Sequence, residues 1–317
     1  MTAPLPSYDE LPDGASWGVW PGNEVYGTLN LLTPERAASA AKLVQSGETF
    51  ALNLDMELPS PPLFGRASFE HEIIVGPSHR DDVLHHWNTQ SSTQWDGLRH
   101  VFHPTKGNYG GIPDEEHGIH FWARKGIVGR GVLLDVARWR ADQGRALRLD
   151  YADAIELSDL DACLDAQGVT LEPGDVLLMH TGWVDWYRSL DAGGRAALAE
   201  NIATPGVRAG RATAAWLWDH HIAAIAGDNP AVELMPWAPE LSDEDRRAGW
   251  ADVENRGELF GHIHFIPMLG IPLGEMFDLG PLAAACAVDR RYTFMFTSAP
   301  LNLLHGVASP PNALAIR

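Results

Sequence analysis

The sequence predicts an α/β or α+β chain with a mixed central sheet and few helices. Three observations carry that class. Short apolar runs bounded by Gly or Pro recur at residues 131–136, 176–181, 222–226 and 292–298, each the length of a buried strand. Only two segments carry clear helical signals. The second of them feeds directly into the run at 222–226 and then Asp228, the order in which an α/β chain returns to its sheet. No shift in composition marks a boundary, so residues 1–317 are expected to form a single domain, with residues 1–50 as an arm and helix packed on it.

Taken in order, the first 25 residues are rich in Pro, Gly and Trp, which suits an irregular arm anchored by aromatics. Thr33 is placed to cap a helix, Pro34 fits its first position, and Glu35 favours the positive end of the dipole. The Ala-rich run ends before Gly47, and residues 50–56 then alternate as a strand does. A second helix is expected to open at Thr204 and Pro205 and to end near His220, with Val207, Gly210, Ala214 and Leu217 on one face. Gly210 costs that helix about 1 kcal/mol relative to Ala, so the prediction rests on spacing.

Charge and cysteine content narrow the partners. With 23 Lys+Arg against 42 Asp+Glu the formal net charge is −19, which repels nucleic-acid phosphates and anionic lipid. Cys163 and Cys286 make neither a disulfide framework nor a zinc knuckle. The first residues lack the basic and apolar regions of a signal peptide. The longest apolar run, around 281–288, is broken by Asp289, Arg290 and Arg291, well short of the ~18 residues of a membrane span. A cytoplasmic protein without nucleic-acid or membrane partners is expected.

Histidine is the informative residue. Eight of the fourteen lie between His71 and His120. Within that region Gln90, Gln94, Asp96 and His100 follow one another, and Asp96 and His100 share a face if the chain turns helical after Asp96. Alone, that spacing equally suits a capping Asp and an unrelated His. A second group lies at His262, His264 and Glu275, where the two histidines point the same way if they sit on a strand. Glu275 stands between apolar runs, an unusual place for a solvated carboxylate. Together they make a hard oxygen and nitrogen set suited to Mn²⁺, Zn²⁺ or Fe²⁺. His85 and His86, like His220 and His221, are adjacent and make poor chelates. His180 reads as a hydrogen-bonded core residue, and His117 and His120 as parts of a lid. Asp228 and Glu233 suit either a functional strand end or a turn cap. No Ser sits in a Gly-x-Ser-x-Gly elbow, which disfavours triad chemistry.

The stretch Gln90-Ser91-Ser92-Thr93-Gln94-Trp95-Asp96-Gly97-Leu98-Arg99-His100 resembles the signature His-x-Gly-Thr-His-x-Asp-x3-His of the cyclase superfamily of metal-dependent hydrolases, which includes kynurenine formamidase and isatin hydrolase. Further family-like stretches follow in order at residues 17–34, 129–135, 174–183, 205–206, 225–228 and 264–275. The resemblance implies a swivelling β/β/α-type fold, a homodimer or homotetramer, a divalent cation, and hydrolysis of an amide, lactam or related acyl bond. Matched by position, Asp96 is implied as a metal ligand, His100 as general base or ligand, and His264 and Glu275 as further ligands. Gln90 and Gln94 stand where the signature has two ligating histidines. Two readings stay open: a metal site with Gln assistance, Mn²⁺ or Zn²⁺ being the expected cation, or a site that has lost its metal.

The expected activity is hydrolysis of a small aromatic or alicyclic substrate by a metal-activated water, with His100 as base. Trp87, Trp95, Phe102 and Trp183, with Trp122, are candidates to line its pocket, and core packing explains each of them equally well. Arg99 suits a surface ion pair better than a carboxylate-binding role. The alternatives are a metal-dependent lyase or isomerase on the same fold and a non-catalytic binding protein.

Overall fold

The structure is a computed structural model that describes residues 5–317. Its centre is a nine-stranded mixed sheet. In space the strands run Thr49–Ala51, Ala313–Ile316, Thr293–Ser298, Ile127–Asp135, Val176–His180, Ala224–Gly227, Leu273–Glu275, Gln94–Asp96 and Ala308–Ser309. The four from Ile127–Asp135 to Leu273–Glu275 are parallel, and antiparallel strands flank them on both sides. The middle strands are continuous apolar runs because both faces are covered: Val132, Leu133, Leu134, Leu177, Leu178 and Met179 are all fully buried. All four predicted runs are strands, with ends displaced by a few residues.

Nine α-helices lie among the described residues, more than the few expected. They span only 6–11 residues, about two to three turns, too short for a helical period to stand out. Helix Pro34–Ala41 forms as predicted, with Thr33 Oγ1 accepting from the Arg36 N–H. The later helix begins at Arg211 rather than at Pro205 and ends at Asp219. Gly206–Val207 instead pairs with Ala154–Ile155, and the Val207 N–H donates to the Val232 carbonyl. Backbone groups engaged in that ladder are lost to a helix. The strand predicted over residues 50–56 is shorter, Thr49–Ala51.

The arm is stitched to the body by its aromatics. Trp17 Nε1 donates to the Pro267 carbonyl at 2.7 Å, and Trp218 Nε1 to that of Pro6 at 2.8 Å. Gly27 has φ +54°, and a Cβ there would lie 2.0 Å from the Gly270 oxygen, so no other residue fits. A separate hairpin, Glu70–Val75 with Arg80–His85, is largely exposed. His71 and His85 make cross-strand pairs there with Asp82 and Glu72, so part of the histidine density is surface pairing. No helix among the described residues is long and apolar enough to cross a membrane.

Candidate metal centre

Strand register assembles the first half of the site. Strand Gln94–Asp96 runs antiparallel to Leu273–Glu275, with Asp96 opposite Leu273 and Glu275 opposite Gln94. Alternation turns Gln94, Asp96 and Glu275 to one face, with Asp96 and Glu275 on a diagonal, while Trp95 points to the other face. The chain does not turn helical directly after Asp96. The chain turns at Gly97, where the His100 N–H donates to the Gly97 carbonyl, and His100 folds back toward Asp96. Its Nε2 lies 3.7 Å from Asp96 Oδ2.

The second half comes from His262, not His264. Residues 262–268 are helical, with a π-turn over His264–Met268, so the two histidines do not sit on a strand. Residues two apart in a helical turn face different ways. His264 accordingly leaves the cluster and pairs with Glu258 at 3.1 Å, whereas His262 enters it. His262 is held by Glu233: its Nδ1 lies 2.7 Å from Glu233 Oε1, and the other Glu233 oxygen accepts the Gly261 N–H. Gly261 is required, since a Cβ there would meet that carboxylate at 2.5 Å. Nε2 of His262 faces Glu275 Oε1 at 3.3 Å and Asp96 Oδ2 at 3.8 Å. One donor atom each from Asp96, His262 and Glu275 lies within 4.8 Å of the other two, and all three residues are buried.

The electrostatics follow from burying three carboxylates together. Burial drives the Glu275 carboxyl up, the Asp96 charge adds to this, and it reaches about 7. At Asp96 burial pushes the same way, but the charges of His100 and His262 outweigh it and hold the group below its ordinary value. Burial would lower His262, yet Glu233, Asp96 and Glu275 keep it well above the usual imidazole range. Burial does lower His100, against the pull of Asp96.

Gln90 and Gln94 enter the site as donors. Gln90 Nε2 donates to Asp96 Oδ1 at 2.9 Å and lies 3.0 Å from His100 Nδ1. Gln94 Nε2 donates to Glu275 Oε2 at 2.6 Å and to Asp96 Oδ1 at 3.3 Å. Both amides are placed with NH₂ toward a carboxylate oxygen, which accepts. The arrangement differs from the amide-oxygen ligation expected of both residues.

The donors fit a divalent cation. Asp96 Oδ2 is buried with no hydrogen-bond partner, beside an imidazole nitrogen and a second carboxylate. Two carboxylates and one histidine are a sufficient set for a catalytic cation that keeps an open position. A cation there would also take the place of the proton on His262 Nε2.

Other expected positions scatter. Trp95 is fully buried in the core against Phe277 and Phe296, its Nε1 donating to Ser298. Phe102 is 64% exposed, and Trp122 is core. Trp183 stacks on Tyr187 in a smaller cluster that includes Met276, the residue after Glu275. Trp87 is half-buried after the hairpin. Arg99 pairs with Asp114 and donates to the His305 carbonyl. Asp228 caps a turn, accepting the Thr181 and Gly182 N–H groups. Sequence reasoning grouped His262 with His264 and Glu275 but carried only His264 to the metal, left Glu233 open between a functional strand end and a turn cap, and passed over Arg66. Arg66 Nη1 donates to the Gln90 carbonyl and lies 3.4 Å from Gln94 Oε1.

Comparison with known proteins follows the same lines. The Cyclase family model matches residues 34–234. The crystal structure of a novel cyclase superposes with a TM-score of 0.79 at 29% identity, covering 96% of this chain and 99% of that one. Isatin hydrolase A from Labrenzia aggregata, bound to benzyl benzoate, gives 0.56 at 17% identity over 91% of this chain and 98% of its own. The Ralstonia solanacearum enzyme of the same name gives 0.57 at 17% over 89% and 95%. At that identity the last two establish a shared fold. A search of curated proteins found no match.

Proposed function

Because the chain belongs to the Cyclase family, we propose that it is a metal-dependent hydrolase that opens or cleaves an amide, lactam or lactone bond of a small aromatic or alicyclic substrate. One observation carries the reading: the buried convergence of Asp96, His262 and Glu275, with Asp96 Oδ2 left without a partner. Asp96, His262 and Glu275 would hold the cation, with Mn²⁺ or Zn²⁺ the best suited. When bound, a cation of this kind polarises the substrate carbonyl and lowers the pKa of a water from about 15.7 toward 7.

The chain's own residues supply the rest. Glu233 keeps the proton of His262 on Nδ1 and so aims Nε2 at the site. Gln90, donating to Asp96, sets the tautomer of His100: Nδ1 accepts and Nε2 carries the proton toward Asp96. His100 Nδ1 takes the proton of the attacking water as the Gln90 amide gives way, and later passes it to the leaving group. The burial that lowers His100 favours the unprotonated ring that such a role needs.

Protein purified without chelator is expected to carry close to one equivalent of Mn, Zn or Fe. Isatin, aryl formamides and aromatic lactones are the substrates to screen. Turnover in heavy-oxygen water should place one label in the product acyl group. Less than about a tenth of an equivalent, with no activity restored by any of the three metals, would sink the proposal. Turnover without label would replace hydrolysis by a lyase or isomerase reaction.

A further inference from the structure

Resting on the hydrolase reading, we propose that Arg66 recognises the substrate by binding an anionic group, a carboxylate, beside the candidate cation site. Its guanidinium is fixed from two sides, over the Phe64 ring at 4.9 Å and by Nη1 donating to the Gln90 carbonyl. That bond, with the 3.4 Å contact to Gln94 Oε1, sets it directly behind the two amides that touch Asp96 and Glu275.

Arg66 is half-buried and, among the described residues, forms no ion pair with a carboxylate. Ten of the 20 arginines pair with an acid. Arg130, Arg140, Arg188 and Arg208 each bind one or two. Nη1 of Arg66 is committed to the protein, while Nε and Nη2 have no protein acceptor. Those N–H groups form the planar edge that takes a carboxylate in two parallel hydrogen bonds.

Arg66 keeps free N–H groups beside the site. Arg99, the guanidinium nearest in sequence to His100, is tied to Asp114 and His305 instead. A surface of net charge −19 gives anions no long-range attraction, so the preference must come from a local cation.

Benzoate and benzamide, matched in size and differing in charge, are the probes. Each is titrated calorimetrically into full-length protein supplied with Mn²⁺, and into Arg66→Met and Arg66→Lys, with metal content measured in every sample. Wild type is expected to favour benzoate by about tenfold or more, as a charge-assisted bidentate contact should. Arg66→Met should lose that preference at unchanged Mn content, and Arg66→Lys should keep part of it. If Arg66→Met melts early, Arg66→Gln gives the same readout. Equal binding of the two probes to wild type, or no binding at millimolar concentration, overturns the proposal. A preference that survives in Arg66→Met and Arg66→Gln also overturns it, since the cation then holds the carboxylate. Benzoate preference that depends on Arg66 in protein holding no Mn²⁺ supports the role of Arg66 and counts against the hydrolase reading instead.

Discussion

Two buried histidine–carboxylate clusters sit at the C-terminal ends of neighbouring parallel strands. In the first, His180 Nδ1 bonds Asp135 at 2.8 Å, and its Nε2 lies 3.9 Å from Asp228. Both carboxylates are saturated there. Asp228 accepts from the Thr181 N–H, the Thr181 hydroxyl and the Gly182 N–H, and Asp135 accepts from the Arg138 N–H and Nε. In the second cluster Asp96, Glu275 and Glu233 surround His262, and Asp96 Oδ2 accepts nothing. Strand register separates the two. Gly274 pairs with Ala226, which aligns Glu275 with Gly227, and Gly227 pairs with Met179; His180, one residue on, faces the other side of the sheet. Similar residue types thus do different work. Carboxylates filled by backbone donors tie strand ends together, whereas one with an unused oxygen is open to a ligand.

The largest expected effect comes from closing the open oxygen. Asp96→Asn should abolish cation binding and lower turnover by about 10³-fold or more, the cost of losing several kcal/mol of charge stabilisation. Its melting temperature should fall somewhat, since the fold favours the ionised Asp96 carboxylate. A large loss of stability with the cation still bound would mean that the open oxygen marks no ligand site.

Asp228→Ala should do the reverse. It leaves buried N–H groups without an acceptor and His180 without one of its two carboxylates, a loss of about 3–5 kcal/mol. Calorimetry should show a clearly lower melting temperature with one cation still bound per chain. Loss of the cation at unchanged stability would erase the contrast between the clusters.

Glu233→Gln tests the orienting carboxylate inside the open cluster. A fall in metal affinity of about 10–100-fold is expected, with stability little changed. An affinity within twofold of wild type would show that His262 needs no help to face the site.

The smallest effect is a pH dependence of the closed cluster. Burial lowers His180, but the hydrogen bond to Asp135 and the charges of Asp228, Asp135 and Asp185 outweigh it and raise the group above its ordinary value. A raised folded-state pKa gives stability that is complete below the unfolded value of about 6.5 and is lost as pH climbs through the folded one. Melting temperature should therefore fall with rising pH above about 6.5 in wild type, and less steeply in His180→Asn. Parallel curves for the two proteins would remove His180 from the closed cluster's stability.

How much of this was legible varies with the range of the signal. The four apolar runs were visible because a strand buried on both faces needs a continuous apolar stretch. Thr33, Pro34 and Glu35 announced a helix start because capping is local chemistry. The short helices were not visible, since two or three turns show no clear period. Asp96, His100 and Glu275 stood out by residue type and by family resemblance, and the structure brings all three together. His262 and His264 were separable only by backbone conformation: a strand sends both one way, a π-turn does not. Trp95 looked like pocket and is core, because its neighbours Gln94 and Asp96 take the site face and alternation leaves it the other.

The sequence by itself determined the strand cores, the family, and a surplus of metal-capable side chains. Each is a property of composition or of short-range pattern, which a chain displays without folding. Only the tertiary structure decided which of those side chains share a point in space. The antiparallel register of residues 94–96 on 273–275 sets Asp96 diagonal to Glu275, and Glu233 turns His262 toward the same point. Arg66 anchors on the Gln90 carbonyl from a loop that carries no motif. The site depends on distances of a few ångströms between residues up to 181 positions apart, as Gln94 and Glu275 are, and no local pattern encodes such a distance.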